Sequence, residues 1–343
     1  MKKVVIGVSG GVDSSVAAYL LKKEGYDVEG VHFVLKKGVG DDVDALSVCN
    51  ALGIKYHEAD FSNVFSEKVF SRFIDDYRSG LTPNLCVLCN KFVKFGALID
   101  FADSLGADFI ATGHYCSLLR ENGRTRLLRP SDSEKDQTYF LNQVAESALS
   151  RVLFPLAGLT KSEVRKIADE AGLVTAYKKG SSDICLMGET SFRDFIAPFI
   201  EPKKGKIITE NGEFVGEHDG LFNYTLGQRK GLGLGGKSGE AGRWFVVGKN
   251  TADNSLIVSH GSEDALYSGK FTVKNCNWIG FDPPEEFRAL CKTRYRQEAQ
   301  PASVIIYDGT ATVKFDEPQR AITPGQFCVF YSSDACLGGG VIE

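Results

Sequence analysis

Three short strings carry residue types able to do chemistry. The first is Ser-Gly-Gly-Val-Asp-Ser-Ser at residues 9–15. It lies between a β-branched apolar run (Val4, Val5, Ile6, Val8) and an alanine- and leucine-rich run from Val16 to Leu21. A strand-to-helix turn of small and polar residues aims several backbone N–H groups and a helix N-terminus at one point, and that geometry holds an anion. Two glycines alone would be weak grounds, since most such turns are ordinary capped reversals; the complete string is more specific. It lacks the Lys-Ser/Thr ending of a Walker loop and the G-x-G-x-x-G spacing of dinucleotide folds. The second string places Cys86 and Cys89 in C-x-x-C spacing just ahead of a helical pattern, where the helix dipole stabilises a thiolate. No second ligand pair stands nearby, which argues against zinc, and the flanking residues do not match a thioredoxin-type pair. The third is Ser-Ser-Asp-Ile-Cys, ending at Cys185. Taken alone, Cys185 reads as a core thiol, as do Cys49, Cys116, Cys276, Cys291, Cys328 and Cys336, because cysteine is among the most buried residue types.

These strings need elements to position them. Through residue 115 the chain alternates strand and helix signals. Residues 26–35 and 54–61 read as strands, 41–53 as a helix stopped by Gly53, 89–106 as a helix ended by Gly106, and 107–115 as a strand running into a glycine. Short joins between such units imply a parallel sheet covered on both faces, with ligands beyond the carboxyl ends of its strands. Both Ser9–Ser15 and the Thr-Gly-His-Tyr string at 112–115 fall there. Asn122-Gly123 signals a hairpin. Thr160 and Glu163 form a capping-box pair at the start of a helix that Gly172 closes. Past residue 200 glycine becomes dense and long helical patterns vanish. From about 270 the chain reads as strands, with a further hairpin at Asp308-Gly309. The expected architecture is α/β, a doubly wound parallel sheet at 1–198, followed by a small glycine-rich central domain at 199–269 and a C-terminal β-barrel at 270–343.

Composition bounds the rest. The chain has 343 residues, 43% of them hydrophobic, and a formal net charge of −4, which excludes a broadly basic nucleic-acid binder but not a local basic surface. Nine cysteines, an odd number, disfavour a closed disulfide framework. No apolar run nears the ~20 residues of a membrane span. The N-terminus enters the first strand at once, leaving no room for a cleavable signal, so no membrane association and a cytoplasmic location are expected.

Residues 9–15 resemble the PP-loop of ATP pyrophosphatases, which split ATP into AMP and pyrophosphate. Further strings resemble one family, the tRNA-specific 2-thiouridylases: TPNLCVLCNKFVKFG, LGADFIATGHY, KDQTYFL, LFPLAGLTKSEVRKIA, SSDIC, YTLGQRKGLG, RYRQ and PGQ, in family order along nearly the whole chain. The resemblance implies a PP-loop adenine-nucleotide-binding domain and ATP-dependent 2-thiolation of the wobble uridine of tRNA. ATP would lie across Gly7, Val8, Ser9, Gly10, Gly11, Val12, Asp13 and Ser14, with Phe33 and Gly113 near the adenosine. Magnesium is expected on the phosphates, with Asp13 as a ligand; no metal held by the protein alone is expected. Cys185 would carry the incoming sulfur as a persulfide, delivered by a sulfur-donor protein (a cysteine desulfurase or a relay carrier). Cys89 would be the partner nucleophile, and a transient Cys89–Cys185 disulfide would end the cycle, which requires Cα atoms within about 7 Å. For tRNA the family pattern points to Asn84, His114, Lys135, Asp136, Gln137, Arg294, Tyr295 and Gln326.

Three departures from the family pattern stand out. The stretch after the second strand is short and lacks a tryptophan, and TPNL replaces Thr-Pro-Asn-Pro. Cys86 stands where many members have aspartate, so Cys86, Cys89 and Cys185 could instead hold an iron–sulfur cluster with one open iron. Two other classes remain open from the residues. An amide- or amine-forming PP-loop ligase would need no reactive cysteine pair, and an RNA-binding module would bind tRNA without turning over ATP.

Overall fold

In the computed structural model the described residues are 1–36, 43–178, 190–235 and 242–343. Strands β1 (Lys3–Gly7), β2 (Asp27–Val34), β3 (Lys55–Asp60) and β4 (Phe109–Ala111) are followed by a hairpin, β5 (Ser117–Glu121) and β6 (Arg124–Leu128), and by the two-residue β7 (Val152–Leu153). Five of them form a parallel sheet in the order β3-β2-β1-β4-β7. Alternation across the pleat explains why β1 is apolar throughout. Val5 joins one core with Val31 and Ile110, while Val4 and Ile6 join the opposite core with Val28 and Ala111, as expected of a strand covered on both faces.

Helix α1 (Val12–Lys23) leaves the glycine turn and buries Val12, Val16, Ala17, Ala18 and Leu21. Helix α2 (Val43–Leu52) buries Ala45, Val48 and Cys49. The helix expected over 89–106 begins earlier and is not uniform. It starts at Leu85, capped by the Asn84 side chain, which accepts from the Val87 N–H, and widens into a π-helical stretch at Asn90–Ala97 before resuming at Leu98–Ser104. An inserted residue in such a stretch re-aims the side chains on either side of it; the 3.6-residue apolar spacing of the sequence does not reveal it.

The central module holds β8 (Gly205–Thr209), β9 (Phe214–His218), β10 (Trp244–Asn250) and β11 (Ser255–His260) in the order β10-β11-β8-β9. The C-terminal module is a barrel of six antiparallel strands, β12 (Tyr267–Trp278), β13 (Glu286–Lys292), β14 (Gln300–Tyr307), β15 (Thr310–Arg320), β16 (Phe327–Ser332) and β17 (Ala335–Ile342), closed by pairing of β12 with β17. The β5–β6 hairpin turns at Asn122-Gly123 as its sequence signals, both residues having positive φ. Yet it serves the barrel: β6 pairs with β17, Leu127 opposite Cys336. A strand from the first module thus pairs with the start of β17, Ala335 and Cys336, which β12 leaves unpaired. No helix among the described residues is long and apolar enough to cross a membrane.

The modules meet at Gly80–Asn84. From the central module Lys249 Nζ donates to Gly80 O at 3.1 Å. From the barrel, Pro324 O accepts the Thr82 N–H at 3.0 Å, and Gln326 Nε2 donates to Thr82 O at 2.6 Å. Burial lowers the Lys249 pKa to about 8. Because the unfolded chain keeps the proton up to about 10.5, stability is expected to rise as pH increases from 8 towards 10. Thermal melts across that range should show the rise, and Lys249→Met should flatten it.

Candidate active site

The Ser9–Ser15 turn is built from its own small side chains. The Ser9 N–H donates to Ser14 Oγ at 3.2 Å, and the Ser14 and Ser15 hydroxyls donate to Gly11 O at 3.1 and 2.9 Å. Gly10 has φ +69°, and a Cβ there would fall 2.4 Å from the Asp44 Cβ. Gly11 caps α1 in extended conformation without a side-chain cap hydrogen bond, so the first turn keeps its N–H groups directed at an incoming anion. Val8 and Val12, by contrast, are core residues; from them only backbone is offered to the turn.

Two further expected residues close on this turn. A Cβ on Gly113 would lie 2.7 Å from Ser14 N and 2.8 Å from Asp13 C, so the backbone after β4 packs directly on the α1 N-terminus. The Phe33 ring abuts Gly7, where a Cβ would meet it at 2.8 Å, and also packs against Phe61, ring centroids 5.3 Å apart. The residues fit a nucleotide: an N–H cradle at a helix N-terminus, a backbone wall at Gly113 and an aromatic pair near the carboxyl end of β2. Asp13 holds its carboxylate in the cradle, a hard oxygen donor of the kind magnesium takes beside phosphates. Both its oxygens accept from Lys161 Nζ, at 2.6 and 2.7 Å, and Oδ1 also accepts from the Tyr115 hydroxyl at 2.7 Å. Burial, then the Asp13 charge, raises the Tyr115 pKa, keeping it a donor.

Next to the cradle lies a second cluster. His114 is buried, with Nδ1 2.8 Å from Thr112 Oγ1. Burial first, then the Lys94 charge, holds its pKa well below the ordinary histidine value, so it is neutral at pH 7 and acts by hydrogen bonding. Gln137 Oε1 accepts the Tyr115 N–H at 2.9 Å, and the Gln137 N–H donates to Tyr115 O, tying the KDQ string to the GHY string. Asp136 is buried and accepts from the Thr138 N–H and hydroxyl, at 2.9 and 2.6 Å, while Lys135 is exposed. Tyr295 packs on this segment, its ring centroid 4.4 Å from that of Phe140 and tilted by 44° to it.

The remaining expected tRNA residues have structural partners. Asn84 caps its helix, and Gln326 grips Thr82. Arg294 turns to the junction of the central module and the barrel, donating to Leu226 O, Ala321 O and Thr323 Oγ1 at 3.3, 2.7 and 3.0 Å. Cys89 is buried and Cys86 half-buried on the Leu85–Cys89 helix. Cys185 and its SSDIC string lie outside the described residues, and so does the approach to Cys89 expected of it. Among the described residues no group of three or more Cys, His, Asp or Glu side chains is assembled to hold a metal.

Sequence reading missed Lys161, Tyr115 and Phe61. The capping box at Thr160, present with both hydrogen bonds, does place Lys161 at the first helical position, but only the packing of that helix on α1 reveals what the lysine reaches.

A glycine turn opening a helix between β1 and β4, where the strand order reverses, with two β modules behind it, defines the class: an α/β nucleotide-binding enzyme of the PP-loop type. Models for a tRNA methyl transferase HUP domain, a tRNA methyl transferase PRC-barrel domain and an aminomethyltransferase beta-barrel domain match residues 2–189, 193–260 and 268–342. The tRNA-specific 2-thiouridylase MnmA 1 of Geobacillus kaustophilus is 49% identical, covering 100% of this chain and 95% of its own. The MnmA enzyme of Bacillus subtilis is 48% identical over 99% and 95%. A solved 4-thiouridine synthetase–RNA complex with bound ATP shares 21% identity over 54% of this chain and 44% of that one, at a TM-score of 0.35, a likeness too slight to bear on function. The chain belongs to the tRNA-specific 2-thiouridylase family.

Gly113→Ala tests the cradle. The new methyl must displace the Asp13–Ser14 backbone, so ATP affinity is expected to fall at least about tenfold, the consequence of losing one well-placed charge-assisted hydrogen bond. Equilibrium titration with ATP measures it, and Tyr115→Phe, which removes only the hydroxyl, should cost less.

Proposed function

We propose that this chain thiolates the wobble uridine of tRNA at O2 by adenylation and persulfide transfer. As a member of its family it is an ATP-dependent tRNA-uridine 2-sulfurtransferase. The observation that supports the adenylating step is the packing of Gly113 on the Asp13–Ser14 backbone, which leaves the α1 N-terminus as the seat for the nucleotide phosphates.

The chemistry divides into balanced steps. The uridine O2 attacks the α-phosphorus of ATP, the bond to the β-phosphate bridging oxygen breaks, and pyrophosphate leaves. The O2 is now part of an AMP leaving group. N–H groups of the turn and the positive end of α1 stabilise charge growing on the phosphates. Magnesium, held by the phosphates and Asp13, would screen the same charge. The terminal sulfur of a Cys185 persulfide then attacks C2 and AMP departs, leaving uridine joined to Cys185 through two sulfurs. The Cys89 thiolate attacks the Cys185 sulfur, forming the Cys89–Cys185 disulfide and releasing 2-thiouridine; a dithiol reductant resets the pair. The persulfide comes from a donor protein's own persulfide, attacked by the Cys185 thiolate with the donor's thiolate leaving. His114, Gln137 and Tyr295 are suited to an unstacked base by hydrogen bonding and stacking, and exposed Lys135 to a phosphate. We read residues 1–198 as the catalytic domain, 199–269 and 270–343 as the domains that brace it and meet the tRNA.

Nucleoside mass spectrometry of tRNA incubated with enzyme, ATP and a persulfide donor tests this. Cys185→Ser is expected to abolish 2-thiouridine while pyrophosphate still forms and AMP stays on the uridine as adenylated tRNA. Cys89→Ser is expected to accumulate a tRNA–enzyme adduct released by dithiothreitol. Full thiolation by Cys185→Ser would favour the ligase reading, and iron with visible absorption in anaerobically purified, active enzyme would replace the persulfide by a cluster.

A further inference from the structure

A Walker loop brings its own lysine to the phosphates, whereas Ser9–Ser15 contains no lysine or arginine. A bound triphosphate would confront Asp13 in the same turn, and that repulsion requires an answer. The fold supplies one from elsewhere in the chain. Lys161 is the first residue of the Lys161–Glu170 helix, directly after its Thr160 cap. Asp132 Oδ2 accepts the Lys161 N–H at 2.8 Å and anchors that helix start. The Lys161 side chain is largely buried, 20% exposed, and closes on both Asp13 oxygens. Two helix N-termini therefore converge on one carboxylate, and both dipoles add positive potential at that point. Lys178 reaches the same turn, donating to Gly10 O at 3.3 Å while paired with Asp44.

We propose that Lys161 is the cation of this phosphate loop, supplied by a second helix of the same chain, and that its ammonium exchanges Asp13 for the ATP phosphates. The inference rests on the nucleotide reading of the turn. Without nucleotide, Asp13 holds the lysine beside the α1 N-terminus and keeps its charge from being buried alone. When triphosphate enters, the ammonium turns to phosphate oxygens, and the released carboxylate becomes available to magnesium. Asp13 is then a competitor of ATP for Lys161 when the metal is absent and a partner of ATP when it is present. A lysine that merely bridged two helices would give no such reversal.

Titration of the full chain with α,β-methylene-ATP by calorimetry, once in EDTA and once with excess magnesium, reads both halves of the exchange. Lys161→Met is expected to weaken binding by about ten- to a hundredfold in both media, as for loss of a charge-assisted contact, and Lys161→Arg to recover part of it. Asp13→Asn is expected to bind the analogue more tightly than wild type in EDTA, yet to lose most of the gain that magnesium gives the wild type. Melting of each variant without nucleotide separates misfolding from lost binding. Wild-type-like affinity in Lys161→Met, or an Asp13→Asn variant with no gain in EDTA and an intact magnesium effect, overturns the exchange. Failure of the wild type to bind the analogue in either medium would overturn the nucleotide reading itself.

Discussion

The segment Gly80–Asn84 is where the three modules hold one another. Lys249 approaches it from the central module, Pro324 and Gln326 from the barrel, and the helix bearing Cys86 and Cys89 begins at its end. Five residues are too short to carry a core, so their backbone polar groups would otherwise face water; here the neighbouring modules supply partners. The cysteine-bearing helix is consequently aimed by contacts far away in sequence. A disturbance at the barrel loop or at Lys249 reaches the thiols through one backbone segment.

A second constraint is topological. Because β1 lies between β2 and β4, the chain departs from β1 in one direction and returns beside it from the other, opening a crevice at their carboxyl ends. Gly113 permits the two edges to close onto each other without a side chain between them. Around that crevice the net negative charge of the chain says little. The local field is set by two helix N-termini, Lys161 and Lys178, balanced by Asp13 and Asp44. Pairing spares each of these charges the cost of standing desolvated and alone.

Much of this is legible in the order of residues alone. The apolar run at Val4–Val8, the glycine stops at Gly53 and Gly172, the Thr160–Glu163 box and the two Asn/Asp-Gly hairpins each act through their nearest neighbours. The π-helical stretch at Asn90–Ala97 was not legible, since it depends on what the helix packs against rather than on residue spacing. Nor was the allegiance of the β5–β6 hairpin: its turn is written in Asn122-Gly123, but its pairing with β17 is a long-range choice.

The site divides the same way. The order of residues alone determined the glycine turn, the C-x-x-C pair and their family, because each is a local string that follows from backbone geometry and side-chain type. Only the folded chain decided that Lys161 meets Asp13, that Gln326 grips Thr82 and that Arg294 turns to the module junction. Those partners are separated by tens to hundreds of residues, and nothing in a one-dimensional pattern states which surfaces will be pressed together when the cores form.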